Sequence, residues 1–184
     1  KKSDGKTQPE YKHWCGMLER CYSENYQNRK PTYKGCSVSD NFKDYRYFKN
    51  WCITQIGFNA LDSVGRKFTL DKDILVKGNK IYSGDTCCFV PQEINTLLTT
   101  CKSKRGEYPI GVSYDRSKVL PFQPTVSIDG KNHRLSRCAT AEEAFYIYKQ
   151  TKENIIKSVA EKYKDLIDQR TYEALMNYQV EITD

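Results

Sequence analysis

The chain has 184 residues, enough for one domain of ordinary size or two small ones. None of its apolar runs is long enough for a signal-peptide core or a membrane span. The formal net charge of +7 divides into +8 over residues 1–105 and −1 over residues 106–184. This asymmetry predicts a polyanionic partner, although a charge that only keeps the protein soluble would give the same totals.

Helical spacing dominates the first part of the chain. After Pro9, apolar and aromatic residues recur every three or four positions, which predicts a first helix ending near Tyr22. The polar residues 23–35 are predicted to form a loop. A short strand over residues 36–38 and a second helix over residues 42–56, rich in aromatic residues, follow.

The pattern then changes to short strands. Residues 68–73 alternate as a strand does and end in acids, and residues 81–82 and 87–90 are predicted to be two more strands. Pro91 opens a helical stretch that includes Asn95. The predicted order is therefore strand, loop, strand, helix.

A basic joint at residues 101–106 marks the predicted domain boundary, which gives one domain over residues 1–105 and another over residues 106–184. Three strands, a long helix that begins with a capping box formed by Thr140 and Glu143, and a short last helix are predicted in the second domain. The predicted bounds of the strands and of the last helix are 110–114, 122–128, 133–138 and 171–178.

Eight cysteines are scattered along the sequence. No Cys-x-x-Cys pair occurs, and neither His13 nor His133 stands at zinc-finger spacing from any two cysteines. This distribution favours buried, reduced thiols, with a zinc site as the alternative.

The first domain resembles the small HNH endonucleases of phages, including homing-type enzymes. The resemblance covers about residues 9–100 and depends on the order and spacing of several motifs. These motifs are Tyr11-x-x-Trp14-x-x-Met17-Leu18-x-Arg20-Cys21-Tyr22, Phe48-x-x-Trp51, Leu70-Asp71-Lys72-Asp73, Thr86-Cys87-Cys88-Phe89-Val90 and Pro91-Gln92-Glu93-Ile94-Asn95. The resemblance implies a ββα-metal core, in which a hairpin and the following helix hold one divalent cation.

The resemblance also implies roles for four residues. Asp71 and Asn95 correspond to the ligands of Mg²⁺ or another divalent cation, and Asp73 is either a further ligand or a neighbour of the ligands. Lys72 occupies the position of the usual general-base histidine, where a lysine of ordinary pKa is protonated and cannot accept the proton of water. The alternatives are an exposed charged hairpin edge for residues 71–73 and a surface amide for Asn95.

The second domain resembles the ethylene-response-factor type of DNA-binding domain of plants. The matching segments are Gly106-x-x-Pro109-x-Gly111-Val112-x-Tyr114 and Thr140-Ala141-Glu142-Glu143-Ala144-Phe145, within about residues 106–160. In that family a three-stranded sheet lies in the major groove with the helix behind it. Residues 106–140 carry a net +2 and residues 141–184 a net −3, as expected for a basic sheet and an acidic helix. The candidate DNA contacts are Arg116, Lys118, Gln123, Thr125 and Arg134, with ordinary solvated strand residues as the alternative.

Together these patterns predict an α+β protein. It has N-terminal helices with a ββα-metal hairpin-helix core, followed by a three-stranded antiparallel sheet packed on a long helix. The leading hypothesis is a cytoplasmic, metal-dependent endonuclease of a phage-infected bacterium, which cuts or nicks double-stranded DNA and needs no membrane. A non-cutting, sequence-specific DNA-binding protein and a phage protein that binds a host protein are the alternatives. Because the sequence begins with Lys1, we also expect an upstream segment to be missing.

Overall fold

A computed structural model of the protein describes residues 2–3, 6–99, 107–128 and 130–184. The chain divides into two compact units. The first unit comprises Lys1–Gln92 and Tyr163–Ala174, and the second comprises Glu93–Lys162 and Leu175–Asp184. The predicted boundary at residues 101–106 lies outside the described residues.

The first unit combines helices with short strands. Its helices are α1 (Pro9–Tyr22), α2 (Glu24–Arg29), α3 (Asp40–Lys43) and α4 (Tyr45–Thr54), with a 3-10 turn at Pro31–Tyr33. Its strands are β1 (Lys2–Ser3), β2 (Lys6–Thr7), β3 (Ser37–Val38), β4 (Thr69–Asp71), β5 (Ile81–Tyr82) and β6 (Cys88–Val90). α1 begins as the sequence predicts, with Pro9 in its first turn. The single helix predicted over residues 42–56 is instead divided into α3 and α4, and the Asp44 carboxylate accepts the backbone N–H of Arg46 at the start of α4.

Aromatic rings fill the core of the first unit. Phe42 and Phe48 are fully buried and meet edge to face, with ring centroids 5.0 Å apart. Trp51 lies 4.8 Å from the Phe42 ring and 5.8 Å from the Phe89 ring. The Trp14 indole N–H donates to the Phe42 carbonyl (2.9 Å), which connects α1 to α3. The aromatic residues at helical spacing therefore form the packed interior of this unit.

Two small sheets bring distant segments together. β4 pairs antiparallel with β6, so that Asp71 stands opposite Cys88, and β3 pairs parallel with β5. The strand that ends in acids is thus joined to the strand that precedes the helix α5 (Gln92–Leu98). Each of these strands has two or three residues, and buried side chains on β6 anchor the pairing.

The second unit contains a three-stranded antiparallel sheet in the order β7 (Val112–Tyr114), β8 (Phe122–Ile128) and β9 (Lys131–Arg134). Its core is formed by Val126 of β8, Tyr148 of the long helix α6 (Ala141–Tyr163) and Val180. The short helix α7 (Gln169–Met176) lies mostly in the first unit, which includes Tyr163–Ala174. The predicted capping box of α6 is confirmed, because the Glu143 N–H donates to Thr140 Oγ1 and the Thr140 N–H donates to Glu143 Oε2, both at 3.2 Å.

The mixed α+β class, the three-stranded antiparallel sheet and the long helix are confirmed. The predicted loop over residues 23–35 is wrong, because this segment contains α2 and a 3-10 turn. In the described parts of the chain, no helix is both long and apolar enough to cross a membrane. The seven described cysteines are free thiols, and Cys101 lies outside the described residues.

Candidate functional site

Asp71 is the last residue of β4 and anchors a tight turn. Its Oδ1 accepts hydrogen bonds from the backbone N–H groups of Asp73 (2.8 Å) and Ile74 (3.0 Å). An aspartate that accepts backbone N–H groups two and three residues ahead fixes the turn that follows it. The Asp71 carboxylate is therefore held in place before any ligand binds.

The environment of Asp71 disfavours its negative charge. Burial, and to a smaller extent the nearby Asp73 carboxylate, raise the pKa of Asp71 to about 6 against the opposing effect of the backbone hydrogen bonds. Two neighbouring carboxylates repel one another unless positive charge or a proton neutralises them. The exposed Asp73 is neutralised in part by its ion pair with Lys72, whereas Asp71 has no such partner among the described residues. The pair therefore has the chemistry of a site for a hard cation, which prefers carboxylate oxygens.

Lys72 lies between these two acids in the sequence, and it is buried, with 7% of its surface exposed. Its Nζ lies 3.1 Å from Asp73 Oδ2, and its backbone carbonyl accepts a hydrogen bond from the Asn79 amide (2.7 Å). Burial lowers the pKa of Lys72, but the charge and hydrogen bond of Asp73, together with Cys36 and Asp71, outweigh it, so the pKa is raised overall. Lys72 therefore stays protonated at neutral pH and can donate hydrogen bonds but cannot act as a base.

The structure adds three residues for which the sequence predicts no role. Arg20, in the last turn of α1, donates from Nε to the Tyr82 hydroxyl at 2.9 Å. The guanidinium carbon lies 5.3 Å from the centre of the Tyr82 ring and 5.9 Å from that of Tyr33. The Lys72 amine lies 5.9 Å from the centre of the same Tyr82 ring. The acidic turn, Asp71–Asp73, thus shares Lys72 with a cationic and aromatic cluster. This cationic cluster consists of Arg20, Lys72, Tyr33 and Tyr82.

Asp71 and Asp73 fit a divalent cation of the Mg²⁺ type, which binds one or two carboxylates and takes its remaining ligands from water and substrate. Within the described residues, no group of three or more His, Cys, Asp or Glu side chains is placed to hold a metal ion. Asn95 is half-buried on α5 and belongs to the second unit, whereas residues 71–73 belong to the first. Its role as a ligand stays a prediction.

The three-stranded sheet carries the residues predicted to contact DNA. Thr125 of β8 stands directly opposite Arg134 of β9, and all four side chains of β9 are exposed. Arg116 and Lys118 are exposed in the turn between β7 and β8. Gln123 differs from the other four, because it is 8% exposed and its amide donates to the carbonyls of Leu135 and Pro124. Gln123 therefore connects the sheet internally.

The turn between β7 and β8 is held rigidly. The Asp115 carboxylate accepts the backbone N–H (3.1 Å) and the hydroxyl (2.7 Å) of Ser117. Arg137 donates to the carbonyls of Leu120 and Pro121, and its Nη2 lies 3.5 Å from Asp115. Arg116 and Lys118 are thus presented on a prearranged turn.

Comparisons with protein families, with curated proteins and with solved structures found no match. Functional assignment therefore rests on the chemistry of the described residues.

Proposed function

We propose that this protein is a metal-dependent endonuclease that cuts or nicks double-stranded DNA. The observation that supports this proposal is the pair of neighbouring carboxylates of Asp71 and Asp73, in which Asp71 is fixed by its turn and its charge is disfavoured by burial and by Asp73. Such a pair gains most from a bound divalent cation. The resemblance of the strand and helix order to the HNH core supports the same assignment.

The carboxylates and the lysine of the acidic turn have different proposed roles. Asp71 and Asp73 hold the cation, which when bound stabilises the negative charge of the phosphate and of the leaving oxygen. Lys72 keeps its proton and can donate it in a hydrogen bond to a phosphate oxygen. Because the amine is protonated, Lys72 does not accept the proton of the attacking water, which passes to bulk solvent.

The sheet of the second unit supplies affinity for the duplex. Arg116, Lys118 and Arg134 are exposed cations, and Thr125 adds a hydroxyl beside Arg134. Contacts of this kind to phosphates position a protein on DNA and make its affinity dependent on salt. The sheet is thus proposed to bind the duplex that the acidic turn cuts.

Nicking of a supercoiled plasmid in Mg²⁺ tests the proposal. Asp71→Asn keeps an oxygen that accepts the backbone N–H groups but removes the charge, so we expect cutting to fall by at least about 100-fold. Asp85→Asn is the control, because Asp85 is an exposed acid of the same unit. Equal cutting by wild type and Asp71→Asn, or no cutting by the wild type with any divalent metal, would contradict the proposal.

A second candidate is a DNA-binding protein on the same scaffold that does not cut. The observation that favours it is Lys72, a protonated amine where the resemblance places a general base. If this candidate is correct, the wild type binds duplex DNA but does not nick it, and Lys72→His gains cutting that depends on divalent metal. The same plasmid assay, with Lys72→Gln as the control for loss of the amine, distinguishes the two candidates.

A further inference from the structure

Arg20 is a half-buried cation that is held by aromatic groups. Tyr82, with 2% of its surface exposed, accepts the Nε hydrogen bond and places its ring beside the guanidinium, and Tyr33 provides a second ring. Attraction between a guanidinium and two rings offsets part of the cost of removing the cation from water. This arrangement also fixes the plane of the guanidinium.

The guanidinium has more hydrogen-bond donors than the protein uses. An arginine carries five N–H donors, and among the described residues the Nε bond to Tyr82 is the hydrogen bond that the Arg20 side chain donates. Arg20 takes part in none of the ion pairs between described residues. A half-buried cation without a counter-charge is costly, because a hydrogen bond to a neutral hydroxyl does not replace a carboxylate.

The neighbouring charges do not supply the missing anion. Asp73 is paired with Lys72, whose amine lies on the same Tyr82 ring as Arg20. Lys72 follows Asp71 directly in the chain, and its amine lies 5.9 Å from the centre of the Tyr82 ring, so the cationic cluster and the acidic turn share one region. Asp73 forms an ion pair with Lys72, and Asp71 accepts the backbone N–H groups of its own turn. Arg20 is therefore a cation of this region that has no anionic partner among the described residues.

We propose that Arg20, held by Tyr82 and Tyr33, is a binding site for a phosphate oxyanion. The planar guanidinium edge can donate two parallel hydrogen bonds to two phosphate oxygens, which a lysine amine cannot do. In the function proposed above, on which this step of the inference rests, the oxyanion is a phosphodiester group of the bound duplex. Arg20 then positions the phosphate beside the carboxylates of the acidic turn.

Titration with inorganic phosphate, followed by ³¹P NMR at constant ionic strength, tests the site without any cutting. We expect saturable binding of phosphate to the wild type. In Arg20→Lys, which keeps the positive charge but loses the two parallel N–H donors of the guanidinium, we expect affinity to fall about tenfold. Arg29→Lys is the control, because Arg29 also lies on a tyrosine ring, 5.7 Å from the centre of Tyr26, but is exposed. Absence of phosphate binding by the wild type, or an equal loss in both variants, would overturn the proposal.

Tyr82→Phe gives a second, independent measurement. This change keeps the ring but removes the hydroxyl that orients Arg20 Nε, so we expect phosphate affinity to fall severalfold while the thermal transition persists. If Arg20→Lys does not fold, unchanged phosphate affinity in Tyr82→Phe refutes the site by itself. A fall in affinity with the fold intact supports it.

Competition between ligands identifies the source of the phosphate. If the oxyanion belongs to nucleic acid, a short duplex displaces inorganic phosphate from the wild type, and Arg20→Lys lowers nicking more than it lowers DNA affinity. If the duplex does not displace phosphate, the site takes a free phosphate and the link to DNA is wrong. A wild type that binds phosphate but never nicks would refute the proposed nuclease and leave the oxyanion site standing.

Discussion

Asp71 shows how a single residue can combine a structural and a functional demand. Its Oδ1 organises the turn after β4, while burial and Asp73 make its ionised form unfavourable. A surface aspartate would organise the same turn at no such cost. The arrangement resembles a binding site whose ligand-free state is less stable than it could be, which is common where function conflicts with stability.

The pKa of Asp71 leads to a prediction about stability and pH. Because the folded-state pKa is raised to about 6, the protonated carboxyl favours the fold at pH below about 4, and this contribution is lost as the pH rises through 6. Asp71→Asn cannot ionise and keeps the oxygen that accepts the turn hydrogen bonds. We expect this variant to be more stable than the wild type at pH 7 by about 1–3 kcal/mol, with the difference vanishing near pH 4. Urea unfolding across this range measures it, and a difference that does not change with pH would contradict it.

Gly111 is a second residue whose identity the structure explains. It has a φ of +76°, and a Cβ at this position would overlap the ring of Tyr148 in the core of the second unit. Gly130 has a similar φ of +74° but open space around it. We expect Gly111→Ala to lower the free energy of unfolding by about 3 kcal/mol or more, and Gly130→Ala by about 1 kcal/mol. Denaturant unfolding of both variants checks this, and equal losses would show that the Tyr148 contact is unimportant.

At the scale of elements, α2 shows where a pattern based on apolar residues fails. The segment over residues 24–29 has no buried residue, so hydrophobic periodicity gives no signal. The helix is instead stabilised locally, because Ser23 Oγ accepts the Tyr26 N–H (3.3 Å) and the Gln27 amide donates to the carbonyls of Arg20 and Cys21. The sequence does contain one usable signal, since serine is a favoured residue at the start of a helix.

The start of α6 gives a prediction for an element that the sequence did identify. Thr140 and Glu143 exchange hydrogen bonds that satisfy N–H groups at the end of the helix. We expect Thr140→Ala to lower the free energy of unfolding by about 1 kcal/mol. Glu142→Ala, which removes an exposed acid from the same turn without removing a cap, should cost only a few tenths of that value. Urea unfolding measures both changes, and an equal effect would mean that the cap adds nothing beyond charge.

At the scale of the whole molecule, the sequence predicts the elements better than their assembly. The acidic turn was predictable because an alternating strand ends in Asp71–Asp73. Arg20 was not, because it approaches Tyr82 only through packing between residues 62 positions apart. The first unit also includes Tyr163–Ala174, where Tyr163 meets the ring of Phe68 at 6.0 Å. Such long-range contacts depend on tertiary packing, which no local period reports.

The distribution of charge leads to the last prediction, which concerns the whole protein on DNA. If the sheet of the second unit contacts phosphates, the logarithm of the association constant falls linearly with the logarithm of salt concentration, by about 0.9 per phosphate contact. Arg134→Gln removes one exposed cation of β9, so we expect the slope to become shallower by about 1. Lys157→Gln removes a cation of the same charge from α6 and should leave the slope unchanged. Fluorescence anisotropy with a labelled duplex between about 50 and 200 mM salt measures these slopes. Equal slopes in the two variants would mean that DNA does not lie on the sheet, because only a contact that releases counterions changes the slope.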